Sequence, residues 1–490
     1  MSIFSEKLQE YVAESGIKIT VLSKASGIER SYLQKILAGN RFPAERETVQ
    51  QLSKALMLTV EQGRDLLTKY DIVKIGEAVY YRRRHIKEML EDVAALCTTP
   101  QTTAIKIPCS KLDKNKPVCA VYGKNDITTA GKALLDAELA RETPRIRIIV
   151  QPDCNVPMEN LLLTGRCHPE LQIEHIFCLN STPRHREDDT FNVDYINAII
   201  PLIFCGCCYQ PYFYYDTISS HINSTTISPN LLLTRDAVML TSYDDESALI
   251  LFDPDAITFY NLTFDRLLQN CHSAVARSNS PLEFLSAFMC SEKSQNAPCP
   301  AHYTLQNQPC MAMFYNEQLL LRIIKPEAPG FEEIRQYFAA RAKQAEACLA
   351  NNAKVICYFT EQGLDDFLST GSLHEVPAQF SFAFPPRIRR EMLENILQMA
   401  ESGKYIPHIV NPSKFRFSTD LEITAFDESN LIFTYNHTKH GAMLFLLNEQ
   451  SVSYAIWDFL ESIESTDMVH PVDWSIECIR EKLKQFDMNP

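Results

Sequence analysis

Glycine is scarce in this sequence, 14 in 490 residues, where an average chain holds roughly 7%. That scarcity excludes collagen-like and glycine-linker architectures, and no glycine-rich phosphate loop is present. A secretory leader is also missing: Met1-Ser2-Ile3-Phe4-Ser5-Glu6-Lys7 is charged and has no apolar run behind it. The longest apolar stretch, Ala198 to Cys208, is too short to span a bilayer and contains Pro201. It is read as a buried strand. No nucleophile elbow marks a catalytic triad. Cysteine is plentiful at sixteen, but scattered through a long chain, so reduced and mostly buried thiols are expected. These features together imply a cytoplasmic protein with no membrane partner.

The remaining composition, 46% hydrophobic and 22% charged, is that of a globular protein without extended disorder. Its 490 residues exceed one ordinary core, so two or three domains are expected. The net charge of −14 is unevenly spread. Residues 1–70 carry ten Lys and Arg against eight Asp and Glu, a net of +2, which leaves −16 on the remainder. An acidic bulk repels polyanions, so any nucleic acid should meet the N-terminal face alone.

Periodicity divides the chain. Phe4 to Glu14 is amphipathic, with Phe4, Leu8, Tyr11 and Val12 on one side, and Gly16 ends it. Short helices follow at Thr20–Ala25 and Glu29–Ala38, separated by Ser26-Gly27-Ile28, and Gly39-Asn40 closes the third helix. A helix through Val49, Leu52, Leu56 and Leu58, and another over Val60–Tyr70, complete a five-helix all-α unit at 1–70. A basic connector helix is expected at 71–97 and a polar linker at 98–117. Strand texture then takes over at Arg145–Val150, Leu171–Phe177 and Leu231–Thr234, with helical Ala130–Ala140 between. The whole is multidomain, a helical unit followed by a large α/β or α+β body. Leu231–Leu268 and Leu421–Ile463 repeat one order of apolar run, polar break, apolar run and helix. The repeat suggests an internal duplication into 118–290 and 310–490, with Ser291–Pro309 as the loop between halves.

The segment Gly16-Ile17-Lys18-Ile19-Thr20-Val21-Leu22-Ser23-Lys24-Ala25-Ser26-Gly27-Ile28-Glu29-Arg30-Ser31-Tyr32-Leu33-Gln34-Lys35-Ile36-Leu37-Ala38-Gly39 has a definite logic. Leu22, Ile28, Leu33 and Ile36 are spaced to pack two helices across a turn that needs a small residue, Gly27. The segment resembles the phage-repressor (Cro/XRE) helix-turn-helix family, over residues 4–70. Two positions depart from the family pattern: Ile19 stands where Gln is usual, and Leu37 where Glu is common. The resemblance implies a DNA-binding transcriptional regulator whose second motif helix enters the major groove of double-stranded DNA. It assigns base reading to Arg30, Ser31, Tyr32, Gln34 and Lys35, and phosphate contacts to Lys18, Thr20, Asn40 and Arg41. Arg82, Arg83, Arg84 and Lys87 either add phosphate contacts, line a solvated helix face, or form a seam against the acidic body.

Other constellations are weaker. Cys290, Cys299, His302 and Cys310 lack the paired spacing of a structural zinc site. Cys205-Gly206-Cys207-Cys208 is placed in a strand, whose alternating side chains do not share one metal. His437-Thr438-Lys439 has the His-x-Lys start of the phospholipase-D-type motif, but Leu444 stands where its Asp belongs, and Ser242–Glu246 in the first half contains no His. Asp244, Asp245 and Glu246 are read as a hairpin turn. The aromatic run Tyr209–Tyr215 is read as a strand with rings on both faces, a core element or the wall of a ligand pocket. The expected protein is thus not an enzyme and has no cofactor or metal. It is a homodimeric regulator whose body senses an unknown small-molecule effector or oligomerises, with Ile75, Val79, Ile86, Leu90 and Val93 as a candidate dimer seam. The alternatives are an enzyme recruited by its helix-turn-helix, with a degenerate phosphodiesterase-like body, and an antitoxin or phage-defence interaction protein.

Overall fold

The computed structural model describes residues 1–98, 116–152, 168–181, 191–204, 206–216, 229–278, 301–336 except 329, 339, 342–343, 353–373, 381–437, 441–447 and 449–488. The chain forms two compact units, Met1–Arg84 and His85–Arg184 with Phe191–Pro490. In the first, α1 (Ile3–Ser15), α2 (Ile19–Ser26), α3 (Arg30–Leu37), α4 (Arg46–Ala55) and α5 (Val60–Ile75) enclose one core. Phe4, Leu8, Leu22, Leu33, Ile36 and Leu52 are all fully buried there. Ser2 caps α1 by accepting from Ser5 N, and Thr59 with Gln62 forms a capping box on α5. Gly76, at φ 98°, separates α5 from α6 (Glu77–Thr98), which crosses from one unit to the other.

The second unit begins with β1 (Val118–Tyr122), α7 (Lys124–Leu139), β2 (Arg145–Ile149), β3 (Gln172–Asn180), α8 (Phe191–Ile203) and β4 (Cys208–Asp216). A meander of β5 (Asn230–Leu233), β6 (Val238–Thr241) and β7 (Ser247–Leu251) follows, then α9 (Pro254–Leu268) and a two-residue β8 (His272–Ser273). These strands make one sheet in the order β1-β7-β6-β5-β2-β3-β4-β8. Strands β2, β3 and β4 are parallel, and β5, β6, β7 and β1 pair antiparallel onto them. α9 covers one face, with Phe264 against Ile176, Leu231, Leu233 and Val238. On the other face α7 lies over Met239, Ala248 and Ile250.

A second sheet is built from β9 (Val275–Ser278), β10 (Ala301–Leu305), β11 (Lys354–Phe359), β12 (Tyr405–Ile409), β13 (Leu421–Asp427), β14 (Asn430–His437) and β15 (Gly441–Leu447). Its order is β12-β11-β10-β13-β14-β15-β9. Parallel β10, β11 and β12 are again followed by an antiparallel meander, and the first strand again pairs with the last strand of the meander. Apart from β8, the two sheets share strand order and direction, and a helix follows each meander: α9 in the first half and α13 (Gln450–Ile463) in the second. A duplication is therefore present in the topology, but its second copy opens with β9 at Val275, inside the 118–290 half expected from the sequence. In the second half α10 (Glu317–Ile323) lies between β10 and β11, α11 (Glu361–Thr370) and α12 (Pro386–Glu401) lie between β11 and β12, and α14 (Val472–Met488) is the last helix. One large core joins both sheets, with α8 and α13 inside it.

Three expectations are corrected. Ala198–Cys208 is not a strand: its first part completes α8, which keeps Pro201 inside it, and β4 starts only at Cys208. An apolar run does not distinguish a buried helix from a buried strand, and thirteen residues is long for a strand. The loop expected at Ser291–Pro309 contains β10, a central strand of the second sheet. Its outward side chains, His302 and Thr304, are polar yet buried, which disguises it. Finally, Ile86, Leu90 and Val93 are not a free seam. They sit in the body core beside Ile196 and Ile199, because the end of α6 packs into that core. His85 Nδ1 lies 2.6 Å from Asp194 Oδ1, and Asn197 Nδ2 donates to His85 O at 3.3 Å, both on α8. Among the described residues no helix is long and apolar enough to cross a membrane.

Candidate nucleic-acid interface

The α2–α3 pair is held by more than its apolar residues. Gly27 adopts φ 71°, the left-handed region that an L side chain resists. A Cβ there would meet nothing within 4 Å. Glycine is therefore required at this turn by backbone conformation, not by lack of space. Ser23 Oγ donates to Ile28 O at 2.6 Å, across the turn. Ser26 Oγ donates to Leu22 O at 2.7 Å and accepts from Ile28 N at 3.4 Å. Two serines thus stitch the end of one helix to the start of the next. Sequence reasoning placed the turn but missed these bonds, since a serine in a helix carries no unique signal.

The helix α3 has two distinct sides. Leu33, Ile36 and Leu37 are buried, and Leu37 O accepts from Gln9 Nε2 at 2.6 Å. Leu37, one of the two departures from the family pattern, is a core position. Arg30, Ser31, Gln34 and Lys35 are exposed. Among the described residues neither Arg30 nor Lys35 has an acidic partner, whereas Lys7 pairs with Glu10 at 3.1 Å and Arg46 with Asp71 at 3.1 Å. Ser31 Oγ donates to Glu29 Oε1 at 2.5 Å. Tyr32 differs from its neighbours. It is half-buried against the core and its hydroxyl donates to Phe42 O at 3.4 Å.

The loop after α3 is anchored by aromatic contacts. Gly39, at φ 73°, turns the chain, and Lys35 O accepts from Asn40 N and Arg41 N at 2.9 and 3.1 Å. Phe42 stacks on Tyr70, with ring centroids 4.9 Å apart and planes 3° apart, and Phe4 meets both edge-on. Tyr70 Oη also donates to Ala44 O at 3.1 Å. Asn40 and Arg41, both exposed, are thereby carried on a braced segment. Lys18 and Thr20, also exposed, stand at the start of α2. Of the basic residues on α6, Arg82 is only 7% exposed and is corrected from the candidate contacts: a guanidinium so buried does not reach a phosphate. Arg83 is half-buried, Arg84 is exposed, and Lys87 pairs with Glu91 at 2.7 Å, the ordinary i,i+4 arrangement.

The weaker constellations resolve as follows. Asp244 accepts from Ser242 Oγ at 2.7 Å and from Glu246 N at 3.1 Å, so Ser242–Glu246 is the β6–β7 hairpin turn. In β4, Tyr209 and Phe213 point into the core while Tyr212 and Tyr214 pack on the α9 side, which gives the rings on both faces that were expected. Cys290, Cys299, Cys205 and Lys439 lie outside the described residues, and among the described residues no group of His, Cys, Asp and Glu could hold a metal. His437 ends β14, paired with Gly441.

No protein-family model matches the chain, and no curated protein is similar to it. Among solved structures it is similar to TrmBL2, an archaeal chromatin protein whose structure shows a novel mode of DNA binding, at 12% identity and a TM-score of 0.21 over 55% of this chain and 99% of that one. It is also similar to phosphatidylserine synthase from Haemophilus influenzae Rd KW20, at 9% identity and a TM-score of 0.23 over 76% of this chain and 93% of that one. Scores this low transfer nothing from either protein to this chain.

Proposed function

We propose that the protein is a sequence-specific transcriptional regulator that binds double-stranded DNA through α2 and α3, a helix-turn-helix of phage-repressor type. The observation that carries this reading is the division of α3: Leu33, Ile36 and Leu37 are buried while Arg30, Gln34 and Lys35 face solvent without acidic partners among the described residues. A short helix with that division fits the major groove. There Arg30 offers two N–H groups to guanine O6 and N7, and Gln34 pairs its amide with adenine. Lys35 adds charge beside them. Ser31, whose hydroxyl donates its hydrogen bond to Glu29, presents oxygen lone pairs to a base amino group. Tyr32 supplies ring surface and positions the helix. Lys18, Thr20, Asn40 and Arg41 hold phosphates and fix the register.

One such helix reads a site too short to be unique in a genome, so the protein acts as a homodimer on two half-sites. Its interface lies outside residues 1–70, where Phe4, Leu8, Leu22, Leu33, Ile36 and Leu52 fill the unit's own core and exposed apolar residues such as Val21, Met57 and Val60 belong to no common helix face. The body is a non-catalytic sensor or oligomerisation module, since Leu444 replaces the acid that His437 and Lys439 would need. The test selects a preferred duplex from a random pool. Affinity for that duplex is then measured at fixed salt for the native chain and for Arg30→Ala/Gln34→Ala. Each lost base contact is expected to cost about 1–3 kcal/mol. Unchanged affinity, or a native chain that selects no sequence, refutes the reading.

A further inference from the structure

In the body, a cavity opens between α7 and the inner face of the first sheet. Its apolar wall is formed by Ile127, Leu135, Ile148, Val150, Leu232 and Met239. Polar residues gather toward one end: Asn230 and Thr241 are cross-strand partners on β5 and β6, and Lys124 and Asp245 are at the start of α7 and in the hairpin turn. Lys132 lines the cavity from farther along α7. Asn230 is 8% exposed, and among the described residues its Nδ2 has no hydrogen-bond partner. A buried amide donor left unmade is costly, and native proteins rarely keep one without a partner.

A second observation concerns α7. In a chain so poor in glycine, Gly131 occupies the middle of a sixteen-residue helix and lines this cavity. Glycine weakens a helix interior relative to alanine. Nothing crowds it out here: its backbone is not left-handed, and an added Cβ would stand 3.8 Å from Met239 Sδ, an ordinary contact. The missing side chain is what leaves the space open.

We propose that this cavity binds a small amphiphilic carboxylate, its apolar body between α7 and β5–β6 and its carboxylate accepting from Asn230 Nδ2. Two observations select an anion. The buried Asn230 amide calls for an acceptor, and the polar end adjoins the N-terminus of α7, where the helix dipole favours negative charge. Lys124 and Lys132 are matched in number by Asp245 and by Glu246, 4.0 Å from Lys124, so side-chain charge adds nothing to this selection. The site shares no residue with α2 and α3, and its occupancy is read directly, so it does not depend on the DNA-binding reading.

Calorimetric titration of the full-length protein with octanoate, and with octanol as the neutral analogue, tests the assignment. Octanoate is expected to bind saturably, one per chain, and more tightly than octanol. Asn230→Leu should weaken octanoate about tenfold or more, the loss of one hydrogen bond to a charged group, and weaken octanol much less, since its hydroxyl accepts only a neutral bond. The same substitution should raise the melting temperature of the ligand-free protein, because it removes an unpaired buried donor. A residue with a purely structural role would lower it. Gly131→Leu should abolish binding of both compounds by filling the space. If that variant does not fold, Met239→Trp fills the cavity from the sheet side. Absence of saturable octanoate binding to the native chain overturns the proposal, as does undiminished binding to a folded cavity-filling variant. Equal affinity for octanol and octanoate, unaffected by Asn230→Leu, overturns the assignment of a carboxylate.

Discussion

Gly27 and His175 show how single residues decide matters that composition hides. The left-handed backbone at Gly27 makes any Cβ unfavourable by roughly 1–2 kcal/mol, although the space around it is open. Gly27→Ala should therefore lower the melting temperature of the N-terminal unit, and Gly27→Asn should lower it less, since asparagine tolerates that conformation. Equal losses would point to crowding instead. His175 is a different case. Burial pulls its pKa down to about 4, so it is neutral in the folded protein. Nε2 then donates to Val150 O at 2.8 Å, and Nδ1 accepts from Tyr209 Oη at 2.7 Å. The unfolded chain takes up a proton near pH 6.5 that the folded chain refuses until about pH 4. Stability from this residue is thus complete above pH 6.5 and lost as pH falls toward 4. At about 1.4 kcal/mol for each pKa unit, the loss is on the order of 3 kcal/mol. The slope of unfolding free energy against pH, measured between 6.5 and 4.5, should be shallower in His175→Gln. Parallel slopes would contradict this account.

At the scale of elements, the helices of the N-terminal unit were legible to within a residue or a few, because amphipathic periods end in strong punctuation at Gly16, Gly27 and Gly39. The candidate interface was legible for the same reason: apolar spacing in α3 leaves only one side for Arg30, Gln34 and Lys35. The body was harder to read. Its central strands bury both faces, so polar residues such as Thr304 and Thr424 lie inside and erase the alternation. The end of α6 misled in another way. Its apolar spacing was read correctly as a seam, but sequence does not say what a seam meets, and here it meets the body of the same chain. Leu90, 1% exposed, makes the point testable. Leu90→Ala should cost about 2–5 kcal/mol of body stability and leave the mass measured by light scattering unchanged. A change of oligomeric state without a loss of stability would restore the dimer seam.

Across the whole molecule the dominant fact is charge, −16 outside the first seventy residues. On the proposed reading, long-range attraction to DNA is then weak, and binding depends on the few cations placed against phosphate. Lys18→Ala and Arg41→Ala should each reduce the slope of log affinity against log salt by about 1, while leaving the preferred sequence unchanged. A slope that does not move would remove these residues from the contact surface.

The pairing of each sheet's first strand with the last strand of its meander has a consequence for synthesis. β1 waits for β7 while about 125 further residues are translated, and β9 waits for β15 through about 165 more. At ribosomal speeds of roughly 5–20 residues per second, each opening edge stays unpaired for on the order of ten seconds, exposed to whatever strand is nearby. The N-terminal unit has no such debt to later sequence, since its contacts close within the first seventy-five residues. A nascent chain therefore carries a finished α3 face while both sheets behind it are still open.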